Sequence, residues 1–159
     1  MVDSNENRAY LAGLKMLARR ELSEMQVRTR LIRRDYLPQH VDAAVARLRE
    51  ERAIDDARTA RAIARTAVAI RGHGKRRVRM QMNAAGIDQA IASAAVDEVF
   101  SEIDANALLQ AAVTRRLRGR TGVADEREAA RLFRYLIGQG FDADRVMEAL
   151  RKMRTARAG

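Results

Sequence analysis

The sequence predicts an all-α fold: an elongated array of three tandem three-helix repeats, about nine helices in all. Three observations carry this. Apolar residues recur at helical spacing almost everywhere, as in Tyr10, Leu14, Leu17 and again in Val41, Val45, Leu48, and each set makes one buried stripe. The 159 residues include one Pro, three Phe, three Tyr and no Trp, so the core is aliphatic and Ala-rich, which suits close helix packing better than a sheet sandwich. Finally, one pattern of anchors returns along the chain. Val27-x3-Leu31-x4-Tyr36-x4-Val41-x3-Val45 superimposes on Leu132-x3-Leu136-x4-Phe141-x4-Val146-x3-Leu150, and a middle copy runs through Val78, Met82, Ile87, Ala92 and Val96.

The elements follow in order. A first helix near 8–20 carries Tyr10, Leu14 and Leu17. The next, near 23–34, opens on Ser23, which with Gln26 reads as a capping box. Pro38 suits the first turn of a helix over 38–52. A fourth spans 56–71 with Ile63, Ala67 and Ile70 on one face. The fifth, 75–85, ends at Gly86, a residue fit for a left-handed stop. Asp88 N-caps 89–103. Helices over 105–119 and 126–138 follow, the latter with Asp125 and Glu128 as a second capping box. Gly140 ends it, and Asp142 N-caps 143–155. The repeats then run approximately 8–54, 55–103 and 104–155 within one elongated domain, 1–159. A unit of roughly 50 residues is too small for a good core alone, so neighbours must stack.

Composition narrows the function. Thirty-one basic residues face 21 acidic ones, a net charge of +10, which points to anionic partners, nucleic acid first. Arg dominates, with lysine only at Lys15, Lys75 and Lys152, and Arg favours forked phosphate contacts. Cysteine is absent, which excludes thiolate metal sites and disulfides and fits a reducing cytoplasm. The polar opening MVDSNENRAY does not read as a signal peptide, and no apolar run reaches membrane-spanning length.

No catalytic constellation is legible, and neither enzyme activity nor a cofactor is expected. His40 lies beside Pro38 in a helical first turn, and His73 lies between Gly72 and Gly74 without a second ligand at metal spacing. The stretch Gly72-His73-Gly74-Lys75 lacks the longer glycine frame, the Ser or Thr after Lys, and the preceding strand that a phosphate loop needs. It reads instead as a corner, Gly72 ending one helix and Gly74 opening the next.

The basic residues are concentrated in two windows. From Ala57 to Ile87 there is no acid but eight cations: Arg58, Arg61, Arg65, Arg71, Lys75, Arg76, Arg77 and Arg79. From Ala105 to Ala124 a second acid-free window holds Arg115, Arg116, Arg118 and Arg120. These twelve are the candidate nucleic-acid or protein-filament contacts, since a bent basic strip suits a phosphate backbone. A pair of solvated helical faces is the plainer alternative. A helix-turn-helix over Ser23–Leu48 is disfavoured, because residues 38–46 carry no Arg or Lys and the pattern occurs three times. A repeat scaffold indifferent to DNA is a further alternative.

The ordered segments resemble those of the RecX family, regulators of RecA recombinase. Leu14-Lys-Met-Leu-Ala-Arg-Arg-Glu-Leu-Ser23 with Val27 and Leu31 is similar to the family's opening. Ile54-Asp-Asp-Ala-Arg58 with Ala60 and Arg61 is similar to its second block, continued by Gly72-x-Gly74-x-Arg76-Arg77-Val78 and Gly86-Ile87-Asp88, and Arg134-Tyr-Leu-Ile-Gly-Gln-Gly140-Phe141 to its last repeat. The departures are Thr59 where Phe is usual, Ile63 where Tyr is common, and Leu22 where Tyr or His often precedes the serine; they read as packing substitutions. The resemblance implies three tandem three-helix repeats, no catalytic residues, and a cytoplasmic protein that binds the RecA filament and DNA and dampens ATP hydrolysis and strand exchange in recombination and repair. A monomer that meets single- or double-stranded DNA is expected. A general electrostatic DNA-binding repeat protein without a RecA-specific role is the alternative.

Overall fold

The computed structural model describes the backbone of residues 4–158 and the side chains of residues 4–154. The first three residues of the polar terminus lie outside the described residues, as does the side chain of Thr155, where the last predicted helix ends. Among the described residues there are nine helices and no strand: α1 Ser4–Leu17, α2 Glu24–Ile32, α3 Pro38–Glu50, α4 Asp56–Ala69, α5 Lys75–Ala84, α6 Gln89–Ser101, α7 Ala105–Leu117, α8 Glu126–Gly138 and α9 Ala143–Ala158. They fall into three tandem sets of three, the all-α repeat array that the periodicity predicts.

The caps explain most starts. Ser23 Oγ accepts from Gln26 N at 3.2 Å while Ser23 N donates to Gln26 Oε1 at 3.1 Å, a full capping box. Asp88 Oδ2 accepts from Ala90 N at 2.9 Å, and Asp142 Oδ1 from Asp144 N at 3.1 Å. At α8 only half the expected box forms. Asp125 Oδ1 accepts from Glu128 N at 2.8 Å, but the Glu128 carboxylate turns to Ala124 N and to Arg120 instead of back to the cap. A guanidinium is a stronger partner for a carboxylate than a backbone amide is.

The turn between the second and third helix is built the same way in every copy. Tyr36 N donates to Leu31 O, Ile87 N to Met82 O and Phe141 N to Leu136 O, at 3.3, 3.1 and 3.2 Å. The residue before each is left-handed: Asp35 (φ 63°), Gly86 (φ 70°) and Gly140 (φ 93°). This is the Schellman ending, which satisfies orphan carbonyls and reverses the chain in a few residues. The anchors on either side are buried accordingly. Val27, Leu31, Val45, Val78, Met82, Val96, Leu136 and Val146 are each 0% exposed, whereas Tyr36 is only half-buried. Burying a Leu or Val side chain stabilises by about 1.5–3 kcal/mol before entropy is counted.

The chain forms two compact units, one of Met1–Ile63 with Gln81–Ala95, the other of Ala64–Met80 with Val96–Gly159. In the first, α1, α2 and α3 enclose Ala9, Leu22, Val27, Leu31, Val41 and Leu48. Ser23, fully buried, donates its hydroxyl to Ala85 O. Thr59, also buried, offers its hydroxyl to Leu22 O at 3.3 Å. It therefore fills a closed site with its polar atom satisfied, and Leu22 is buried beside the cap at 2% exposure. In the second unit α7, α8 and α9 enclose Leu109, Val113, Leu117, Leu132, Leu136 and Val146.

In the second unit the chain at Gly74 touches the turn at Gly140. Gly74 N donates to Gln139 O at 2.9 Å and Arg76 N to Gly140 O at 3.2 Å. A Cβ on Gly74 would lie 2.4 Å from Gly140 O, and one on Gly140 would lie 2.4 Å from Arg77 N. Only glycine fits at either place. Gly119 is also left-handed, at φ 80°, yet a Cβ there would meet nothing within 4 Å. Gly119→Ala should cost about 1–2 kcal/mol, the strain of a left-handed L-residue alone. Gly140→Ala adds a backbone collision and should cost roughly 3 kcal/mol or more. Denaturant midpoints of the two variants check this; equal losses would mean that the close approach does not constrain the fold.

Candidate nucleic-acid interface

The corner at residues 71–79 is fixed by the Gly74–Gly140 contact, and the basic side chains inherit their places from it. Arg77 Nη1 donates to Gly138 O at 2.7 Å. Arg71 and Arg76 are exposed. Lys75 Nζ lies 5.7 Å from the centre of the Phe100 ring. From the second window, Arg115 reaches the same corner: its Nη1 approaches Arg71 O at 3.4 Å, and a Cβ on Gly72 would meet its Nη2 at 2.5 Å. The two acid-free windows, 44 residues apart at this contact, thus meet in space.

His73 registers the result. It is buried, at 6% exposure, and its pKa is lowered from the ordinary 6.5 by burial first and then by Arg77, Arg71 and Arg115. Three guanidiniums therefore act on one imidazole, a locally positive potential that an anion would relieve.

The other candidates are dispersed. Arg58 is engaged locally: Nε meets Glu21 Oε1 at 2.8 Å, Nη1 meets Arg52 O at 3.1 Å and Nη2 meets Ala53 O at 3.0 Å. It closes the chain between α3 and α4 by satisfying carbonyls at a helix end. Arg61 is partly buried. Arg65 and Arg79 stand 3.9 Å from Glu98 and Asp97 of α6, so acids share their surroundings. Arg116 stacks over Tyr135, 4.8 Å from the ring centre. Arg118 is the left-handed cap of α7 at φ 52°. Arg120 pairs with Glu128. The corner, not the whole length of the two windows, is where the cations gather.

Sequence windows do not reveal a further basic groove in the first unit, lined by Lys15, Arg19, Arg20, Arg30 and Arg34. Glu21, Glu24 and Asp35 interrupt that stretch in sequence. The signal that finds it is the pairing of Glu24 with Arg28 at helical i,i+4 spacing, which removes one acid from the reckoning. Among the described residues no group of three or more His, Cys, Asp or Glu is placed to hold a metal ion, and no helix is long and apolar enough to cross a membrane.

Known proteins share this fold. Residues 9–48 match the sequence model of the first three-helix domain of RecX, and residues 55–96 match that of the second. The chain belongs to the RecX family. The protein named regulatory protein RecX from Halorhodospira halophila is 35% identical over 139 residues, covering 87% of this chain and 83% of that one. Its namesake from Acidithiobacillus ferrooxidans is 34% identical over 87% of this chain and 85% of its own. The crystal structure of RecX from Lactobacillus salivarius superimposes with a TM-score of 0.76 over 97% of this chain and 99% of that one, at 16% identity. That last likeness establishes the fold, and the sequence relatives place the chain among RecX regulatory proteins.

The positive corner carries a pH signature. A histidine with a depressed folded pKa is neutral in the folded chain but titrates near 6.5 when unfolded. Its share of stability is complete above about pH 6.5 and is lost as pH falls toward the folded value. Arg115→Gln removes one repelling cation, so the His73 midpoint followed by NMR should rise toward the ordinary value. An unchanged midpoint would separate Arg115 from the corner.

Proposed function

We propose that the protein regulates RecA recombinase by binding the RecA–DNA filament, chiefly as an inhibitor of ATP hydrolysis and strand exchange in recombination and repair. It would act as a cytoplasmic monomer, without a cofactor and without catalysis of its own. The observation that supports this most is the meeting of two acid-free windows around His73 in a RecX-family chain. Arg71, Arg76, Arg77 and Arg115 offer forked donors to phosphate, and no aromatic platform for base stacking accompanies them in the sequence windows. Contact with DNA is then mainly electrostatic and weakly sequence-selective. Of the remaining candidates, Arg65, Lys75, Arg79, Arg116, Arg118 and Arg120 belong to the same unit as the corner and to the proposed interface there; Arg58 and Arg61, in the first unit, are proposed contacts in their own right, Arg58 with the least freedom.

A regulator aimed at the filament and a passive DNA binder differ in stoichiometry. Added to preformed RecA filaments on single-stranded DNA, the protein should slow ATP hydrolysis at amounts well below those that cover the DNA. Inhibition that sets in only when the strand is coated would favour the general DNA binder. Arg71→Glu with Arg76→Glu should raise the amount needed for half inhibition. On DNA alone, the pair should reduce the slope of log K against log salt by about 0.7–0.9 per lost contact. A repeat scaffold indifferent to DNA would show no salt-dependent binding to lose.

A further inference from the structure

The groove in the first unit is the other concentration of charge, and its residues come from the ends of two helices. Lys15 lies in the last turn of α1 and Arg30 in the last turn of α2, while Arg19, Arg20 and Arg34 lie in the turns beyond. The groove encloses about 350 Å³ over the buried side chains of Met16 and Leu22. No acid lines it. The two glutamates that follow Arg20 in sequence point elsewhere, Glu21 to Arg58 at 2.8 Å and Glu24 to Arg28 at 3.0 Å. Folding thus separates cations from acids that alternate along the chain.

Cations at helix C-termini ordinarily complement the helix dipole, which accounts for the positions of Lys15 and Arg30. It does not account for the state of Arg30. Among the buried side-chain polar atoms of the described residues, Arg30 Nη1 is the one without a hydrogen-bond partner. Burial, Arg20 and Arg33 all disfavour its charge, yet a guanidinium stays protonated at any physiological pH. A half-buried guanidinium among like charges carries a cost, and an anion in the groove offsets the repulsion.

We propose that this groove is a separate nucleic-acid site that seats a phosphodiester backbone among Lys15, Arg19, Arg20, Arg30 and Arg34. The inference rests on the reading that the protein binds DNA and adds a second place where it does so. Five cations without an acid match a run of several phosphates; a single carboxylate side chain from a protein partner leaves most of them unneutralised. The apolar floor suits a sugar edge, and among the described residues no aromatic lines the groove to read or stack a base, so the contact is to backbone.

The test uses the full chain and a fluorescent oligothymidylate, with affinity measured across a range of salt. Arg19, Arg20 and Arg34 are exposed, so the variant Arg19→Gln/Arg20→Gln/Arg34→Gln should fold as the parent does. It should lower the slope of log K against log salt by about 2, at roughly 0.7 per phosphate contact on a single strand. Arg71→Gln/Arg76→Gln, in the other unit, should add its own loss independently. An unchanged slope for the triple variant beside a reduced slope for the Arg71/Arg76 pair would overturn the groove and leave the DNA reading standing. Absence of salt-dependent binding by the parent would overturn both. Weaker inhibition of RecA at unchanged DNA affinity would assign the groove to an acidic protein surface, against the proposal. Arg30→Met supplies the second readout: it should raise the melting temperature of the free protein and reduce the rise produced by oligothymidylate. A lower melting temperature would make Arg30 a structural residue and sink its role here.

Discussion

The fold depends on a left-handed residue placed one position before the third-helix anchor in each repeat. At Asp35, Gly86 and Gly140 the chain takes φ values of 63°, 70° and 93°, and the next residue closes a bond back to the second helix. That single turn sets the angle at which the third helix leaves, so the two stripes it connects can meet. Without it the apolar residues at Val27/Leu31 and Val41/Val45 would not share a core. In the last repeat the turn does more. Its backbone is pressed against Gly74 and Arg77, where only glycine fits on both sides, and this contact holds the basic corner in place. A packing requirement of the repeat thereby decides where charge is displayed.

Charge in this molecule falls into two physical classes. Arg58, with one carboxylate and two carbonyls as acceptors, is part of the architecture. So is the trio in which Arg47 lies 3.7 Å over the Tyr10 ring and pairs with Glu51 at 3.0 Å, joining α1 to α3. The second class gains little from the fold. The 3.9 Å pairs of Arg65 and Arg79 are exposed, and such pairs contribute about 0–1 kcal/mol. The cations around His73 and Arg30 repel one another. A net charge of +10 opposes compaction, so the unpaired cations are better explained by what they meet than by what they stabilise.

The sequence made the repeat legible because its anchors are separated by fixed intervals and its caps are chemically specific. Ser23/Gln26, Asp88 and Asp142 start their helices as their side chains dictate. The ends were harder. Helices α3 and α7 stop at Glu50 and Leu117, two residues short of the predicted 52 and 119, because Arg52 and Arg118 turn left-handed at φ 56° and 52°. Arginine does not announce that conformation as glycine does. Helix α1 starts at Ser4, ahead of the expected 8, since its first turn is polar and carries no apolar stripe. The basic windows were visible as composition, but the approach of Arg115 to Arg71 is tertiary and leaves no local trace. The groove around Arg30 was hidden by its own neighbours, for Glu21 and Glu24 make the segment look balanced until folding directs them to other partners.

A small helical array with no catalytic grouping can still govern a large assembly if its surface is matched to a repeating polyanion. Electrostatic contact with phosphate is long-ranged, tolerant of sequence and sensitive to salt, so by itself it would bring a basic protein to nucleic acid without selecting a filament. Selection needs a second, geometrically fixed element. The glycine pair at Gly74 and Gly140 supplies rigidity at the corner, since backbone bonded to backbone leaves less freedom than a side-chain contact would. Donors fixed in advance lose little entropy on binding. If the protein acts on a filament, as proposed, a corner held at a fixed place would suit phosphates or carboxylates of regular spacing better than the shifting charges of bare flexible DNA.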